Sequence, residues 1–201
     1  MLTNYDAQAV AQVMGIAFLA AERARSRSSS PVADVLGTPF DIDVGGAAVR
    51  VVQAMTRRAV PASGPAGPDS EQSKNPILSA VMIEKAVEHG LPRHALRHVA
   101  EALAGGDKSK VATIEWGVVP KTTLDRRVTQ LSPQESERTE RVARLFVQAR
   151  RALGSEAEAR DFMTTPHPEL EGRSPVEVSR TDLGTRRAER ILTALEYGLA
   201  L

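Results

Sequence analysis

The chain contains no cysteine, and only 3% of its residues are aromatic. The first absence excludes a disulfide framework and any thiolate metal site, and it suits a reducing compartment. The second leaves the core to aliphatic side chains. No charge of one sign dominates: 26 Lys and Arg stand against 25 Asp and Glu, with a pI near 8.1. That lies below the pI of about 9 that marks a typical nucleic-acid-binding domain. Long hydrophobic runs are also missing. The longest apolar-looking stretch, Ala9 to Ala21, contains Gln12. It is shorter than the about 20 residues needed to cross a bilayer. No basic leader precedes it, so neither a signal peptide nor a membrane span is expected, and the expected compartment is the cytoplasm. What is present is ordinary for a soluble globular chain of one or two domains: 201 residues, 42% hydrophobic and 25% charged.

Punctuation divides the chain into an N-terminal extension (1–60), a linker (61–75) and a helical remainder. Tyr5 to Arg25 carries Val10, Val13, Met14, Ala17, Phe18 and Ala21 at helical spacing, which predicts a helix. Residues 31–46 read as loop. Ala47 to Ala59, with Val49, Val52 and Met55, predicts a second helix. Residues 61–75 are rich in Pro, Gly and Ser and too poor in apolar side chains to offset their ordering entropy. From Asn75 onward every signal is helical. Asn75-Pro76 opens a helix that Gly90 closes; Pro92 opens the next, which Gly105-Gly106 close. Ser132 with Glu135, Ser155 with Glu158 and Ser174 with Glu177 have the spacing of capping boxes. One stripe on the long helix carries Val142, Leu145, Phe146, Ala149 and Leu153; one on the last carries Ala188, Ile191, Leu192, Leu195 and Leu199. The expected fold is all-α, with a helix-turn-helix domain over 76–131 and a second helical domain over 132–201.

Within the first of these, Lys110 to Trp116 predicts a short helix with Val111, Ile114 and Trp116 inward. Gly117 and Val118 follow as a tight turn. Pro120 then starts a second helix with Leu124 and Val128 inward and a polar outer surface. A helix, a Gly-containing turn and a polar second helix suit insertion into the major groove. Lys110, Lys121, Thr122, Thr123, Arg126 and Arg127 are the candidate DNA contacts, Lys and Arg for phosphate and Arg also for guanine. The same pattern describes an αα-hairpin in a helical bundle. From Gly105 to Gln130 there are five basic residues against three acidic ones. Phosphate attraction by one protomer is therefore modest, and useful affinity requires a dimer or larger assembly.

Two further strings carry a family resemblance. Thr123-Leu124-Asp125-Arg126-Arg127 precedes Leu131-Ser132-Pro133-Gln134-Glu135-Ser136-Glu137-Arg138. At the C-terminal end, Pro166 and Pro168, Leu170-Glu171-Gly172, Ser174-Pro175, Gly184 and Tyr197-Gly198 follow in order. Together these resemble the Xre/MbcA/ParS antitoxins from about Ile77 to Leu201. Met163 and His167 depart from the family pattern, which has Trp and Asn there. The resemblance implies a partner toxin with a RES domain, an enzyme acting on NAD, encoded beside this chain. It implies that the C-terminal domain covers the toxin's active site and that the helix-turn-helix represses the operon. It implies a homodimer and a hetero-oligomer with the toxin. The candidate toxin contacts are Leu170, Gly172, Arg187, Tyr197, Gly198, Leu199, Ala200 and Leu201. Gly172 and Gly184 read as backbone devices, and Ile191 and Leu195 as core.

No glycine-rich phosphate loop, nucleophile elbow or zinc signature is present. No enzyme activity, catalytic residue, cofactor or metal is expected. His94 and His98 stand four apart on one helix, but no Glu follows His94 and a structural role is expected for the pair. The alternative to an antitoxin is a stand-alone helix-turn-helix regulator whose C-terminal helices only dimerise.

Overall fold

The computed structural model describes residues 5–20, 39–44, 47–54 and 80–198. Most of them are helical. The body consists of α2 (Ala80–His89), α3 (Arg93–Ala104), α4 (Lys108–Val118), α5 (Lys121–Leu124), α6 (Pro133–Leu153), α7 (Glu156–Thr164), a 3-10 turn (Pro168–Leu170), α8 (Pro175–Val178) and α9 (Asp182–Tyr197). The ends follow from local chemistry. At α6, the Ser132 hydroxyl accepts the Glu135 amide and the Glu135 carboxylate accepts the Ser132 amide at 2.7 Å. Ser174 and Glu177 repeat this at α8. Ser155 makes only half a box: its hydroxyl takes the Glu158 amide, while the Glu158 carboxylate takes that hydroxyl and not the Ser155 amide. Asn75-Pro76 and the 61–75 linker lie outside the described residues.

The N-terminal region overturns both helices expected there. α1 spans only Ala7–Val13, and three strands follow: β1 (Ile16–Ala20), β2 (Phe40–Val44) and β3 (Ala47–Gln53). Gly15 stops the helix. It has φ +62°, and a Cβ there would lie 2.5 Å from the His98 ring, so the chain turns at a position only glycine fills without strain. β3 pairs antiparallel with both neighbours, giving the order β1-β3-β2. Ile16, Phe18, Ile42, Val49 and Val51 are buried on one face. On the other, Arg50 forks onto Asp41 across the strand pair at 2.7 and 2.9 Å. Part of the stretch read as loop is therefore an edge strand.

The sheet and the helices share one continuous hydrophobic cluster, running from Val10 and Phe18 through Leu96 and Phe146 to Leu192. Phe40 stacks on His89 at 4.3 Å. The Tyr5 hydroxyl donates to Glu140 of α6 at 3.0 Å. The fold is predominantly α, as expected, with this small sheet added. α6, about 32 Å long, is its spine. Two of its arginines reach α9, where Arg144 meets Glu189 at 3.4 Å and Arg151 meets Glu196 at 2.9 Å. The equal offsets mean that α6 and α9 run parallel.

Candidate partner-binding surface

The corner before α9 is built by residues that the sequence singled out. Leu170 and Met163 are fully buried, so the 3-10 turn hangs from the core by Leu170. Glu171 and Gly172 then take left-handed backbone conformations, φ +60° and +72°. Arg187 of α9 holds this turn. One guanidinium nitrogen donates to the Glu171 carboxylate at 2.8 Å and another to the Glu169 carbonyl at 2.9 Å. Hydrogen bonding from Arg187 keeps the Glu171 carboxyl below its ordinary range. Gly184 allows α9 to touch α8, since a Cβ there would lie 2.1 Å from the Val178 carbonyl oxygen. Leu170, Gly172, Arg187 and Gly184 thus shape the corner. Of the candidate contacts, Tyr197 is exposed at the end of α9, and Gly198 caps that helix with φ +62°. Leu199, Ala200 and Leu201 lie outside the described residues.

The outward face of α9 joins Tyr197 to residues that the sequence reading passed over. Leu183 is 76% exposed and Tyr197 is 64% exposed. Arg190 stands between them on the same line, and Arg186 and Thr193 flank it. A shallow recess lined by Leu183, Arg186, Glu189, Arg190 and Thr193 runs along this face. Leu195 was expected in the core but is 45% exposed. It belongs to the last turn of α9, where Ala194 takes the buried position. The signal for this face was a bulky Leu at the second position of a helix otherwise opened by polar residues.

Residues 148–198 match the family model described as the antitoxin Xre/MbcA/ParS C-terminal toxin-binding domain. The C-terminal segment is therefore similar to the toxin-binding domain of this antitoxin family. It takes in the end of α6, the whole corner and all of α9. No curated protein matches the chain.

N-terminal to the toxin-binding domain, the candidate DNA contacts meet a geometry different from the expected one. Gly117 is not in a turn: α4 continues through Val118, and Val119-Pro120 make the break. α5 is a single turn of four residues. Val128, expected inward, is 86% exposed, and Trp116 is 40% exposed. The exposure of Val128 follows from where the chain goes after α5. Gln130 donates to the His89 and Gly90 carbonyls, and the Leu131 amide donates to the Leu91 carbonyl. This stitches residues 129–131 to the α2–α3 connection and leaves no room for a longer second helix. Lys121 lies over the Trp116 ring, 5.1 Å from its centroid. Thr122 and Arg126 are exposed and Thr123 is half-buried. Lys110 pairs with Asp107 at 3.8 Å. Arg127 instead forks onto the buried Glu135 carboxylate at 2.9–3.1 Å. Burial pushes the Glu135 carboxyl up, but Arg127 and the Ser132 amide outweigh it, and the net shift is downward.

Arg180 joins this region to the toxin-binding domain. It donates to the Gly117 carbonyl at 2.7 Å and to the Trp116 carbonyl at 3.3 Å, satisfying the end of α4. His94 and His98 meet edge to face at 5.9 Å beneath Gly15 and β3. Burial, and then His98, lower the His94 pKa. Among the described residues, no group of three or more His, Cys, Asp or Glu is arranged to hold a metal. No helix there is long and apolar enough to cross a membrane.

Proposed function

We infer that the chain is an antitoxin that neutralises a RES-domain toxin encoded beside it, by covering the toxin's active site with the 132–201 domain. The observation that carries this reading is the match of residues 148–198 to the toxin-binding domain. The exposed end of α9, with Tyr197 and Gly198, supports it, because an exposed aromatic at the end of a braced helix suits a protein contact. The role is binding and not catalysis, and it is exercised in the cytoplasm.

The same chain represses its own operon through the 76–131 domain. Lys121, Thr122 and Arg126 are exposed together and support that part of the reading. A four-residue α5 gives them mainly phosphate to contact, so operator binding depends on a homodimer or on a hetero-oligomer with the toxin.

The test is co-expression with the neighbouring RES-domain protein, followed by pull-down, a growth assay and operator gel shift. The full chain should rescue growth and co-purify with the toxin. Truncation before Tyr197 should abolish rescue and spare operator binding, and Lys121→Ala or Arg126→Ala should do the reverse. A toxin that neither co-purifies nor is neutralised refutes the antitoxin reading. Lesions that each abolish both activities refute the division into two modules.

A further inference from the structure

We propose that the toxin is held not only at the end of α9 but along its outward face, by a surface presenting a carboxylate between two apolar recesses. The proposal rests on the antitoxin reading and specifies the partner's chemistry at that site.

The argument starts from how α9 sorts its side chains. Glu189 and Glu196 are turned back to Arg144 and Arg151 of α6. Arg187 is turned to the 169–171 loop. What remains outward is Leu183, Arg190 and Tyr197, seven residues apart each time and therefore nearly in line, with Arg186 beside them. The line is about 21 Å long. Asp182 pairs with Arg186 at 3.0 Å within the same face. Arg190 has no ion pair among the described residues and stands exposed between two large apolar side chains.

Leu, Arg and Tyr on a rigid helix suit a protein contact better than they suit solvent. Arg and Tyr are the residues that dominate binding energy where neighbouring groups exclude water. A guanidinium desolvated by such a contact requires an anion, and its planar fork selects a carboxylate held bidentately. The sign follows from the pairing of the α9 acids: Glu189 and Glu196 are taken by Arg144 and Arg151 of α6, and Asp182 by Arg186, which among the described residues leaves Arg190 as the uncompensated charge of the face. The face is also braced: the Arg144–Glu189 and Arg151–Glu196 pairs and the Gly184 contact fix α9 before any partner arrives. Little ordering cost then falls on binding.

The experiment uses the full chain and the purified toxin, with affinity and rates measured by biolayer interferometry. Arg190→Glu and Leu183→Ser are expected to weaken binding about ten-fold or more each, chiefly through faster dissociation. Arg190→Lys should fall between Arg190→Glu and wild type, because an ammonium cannot fork. Lys108→Glu, a charge reversal at the start of α4, should leave toxin affinity unchanged. All three positions are exposed, so circular dichroism of the four variants should match wild type. If wild type binds the toxin and Arg190→Glu and Leu183→Ser bind equally well, the proposal is overturned while the antitoxin reading stands. If wild type itself fails to bind, the antitoxin reading falls and the proposal with it. Two other results overturn the proposal by naming another occupant. One is loss of a homodimer in Leu183→Ser, seen by light scattering. The other is loss of operator affinity in Arg190→Glu with toxin affinity intact.

Discussion

Replacing Gly184 by alanine sets two effects of opposite sign against each other. Gly184 is in the first turn of α9, and alanine in a helix is ordinarily better than glycine by about 0.5–1 kcal/mol. Here the new methyl would lie 2.1 Å from the Val178 carbonyl oxygen, 2.8 Å from its carbon and 3.0 Å from the Thr181 hydroxyl. Two of those atoms are backbone and cannot rotate away, so α9 must back off from α8 by about 1 Å, as overpacked cores do. That movement pulls on the Thr181 cap, which holds the Gly184 amide at 3.1 Å, and on the Arg187 grip. Overpacking costs about 1–3 kcal/mol and exceeds the helix gain. The net loss is about 1–2 kcal/mol, or about 2–8 °C in melting temperature for a chain of this size. Gly117 provides the contrast. It is inside α4 with ordinary φ, and its Cβ would meet only Val176 at 3.4 Å. Gly117→Ala should therefore stabilise by about 0.5–1 kcal/mol. Thermal unfolding followed by circular dichroism reads both. A Gly184→Ala protein melting at or above wild type would refute the packing argument. A destabilised Gly117→Ala would restore Gly117 to a turn.

Arg127→Ala leaves the buried Glu135 carboxylate with less support and should cost about 1–3 kcal/mol in urea unfolding. Because the folded Glu135 pKa is depressed, its contribution is present above the ordinary 4.5 and is lost as pH falls through the lower folded value. Stability measured from neutral to acid pH should show that component in wild type and lose it in the variant. His94 also has a depressed folded pKa, so wild type should lose stability as pH drops below the ordinary 6.5. His94→Phe should flatten the profile between about pH 7 and 5, and an unchanged profile would show that His94 is not the group responsible.

The helical body was legible because its boundaries are local. Ser132-Pro133-Gln134-Glu135 and Ser174-Pro175-Val176-Glu177 determine their own helix starts within four residues, and Gly154 ends α6 without tertiary help. The N-terminal sheet was not. Ile16 to Ala20 is apolar on both faces, so it shows no alternation and continues the helical spacing of α1. The evidence against a helix is Gly15, whose meaning depends on His98 more than 80 residues away. Asp41-Ile42-Asp43-Val44 did carry a period of two, and β3 could have been paired with it through Arg50. At the candidate surface, motif order located the corner correctly but not the division of labour within it. Leu170 and Arg187 are recognisable in sequence because they build the turn, whereas Leu183 and Arg190 follow no motif and become visible only when α6 claims Glu189 and Glu196. The α4–α5 break was misplaced because glycine signals a turn only where the helix has no neighbour to continue against, and Gly117 has Val176.

The shared core has a consequence for the lifetime of the chain. Tyr5 and Glu196 both anchor on α6, one through Glu140 and the other through Arg151. Opening either end therefore strains the same spine, and the described residues should unfold as a single cooperative unit. A ligand that binds only the folded form then protects every part of it, by a free energy that grows with the logarithm of its concentration over Kd. Amides in the N-terminal sheet, which a partner on α9 would never touch, should exchange more slowly with solvent when that partner is bound, as should any site a protease reaches only through global opening.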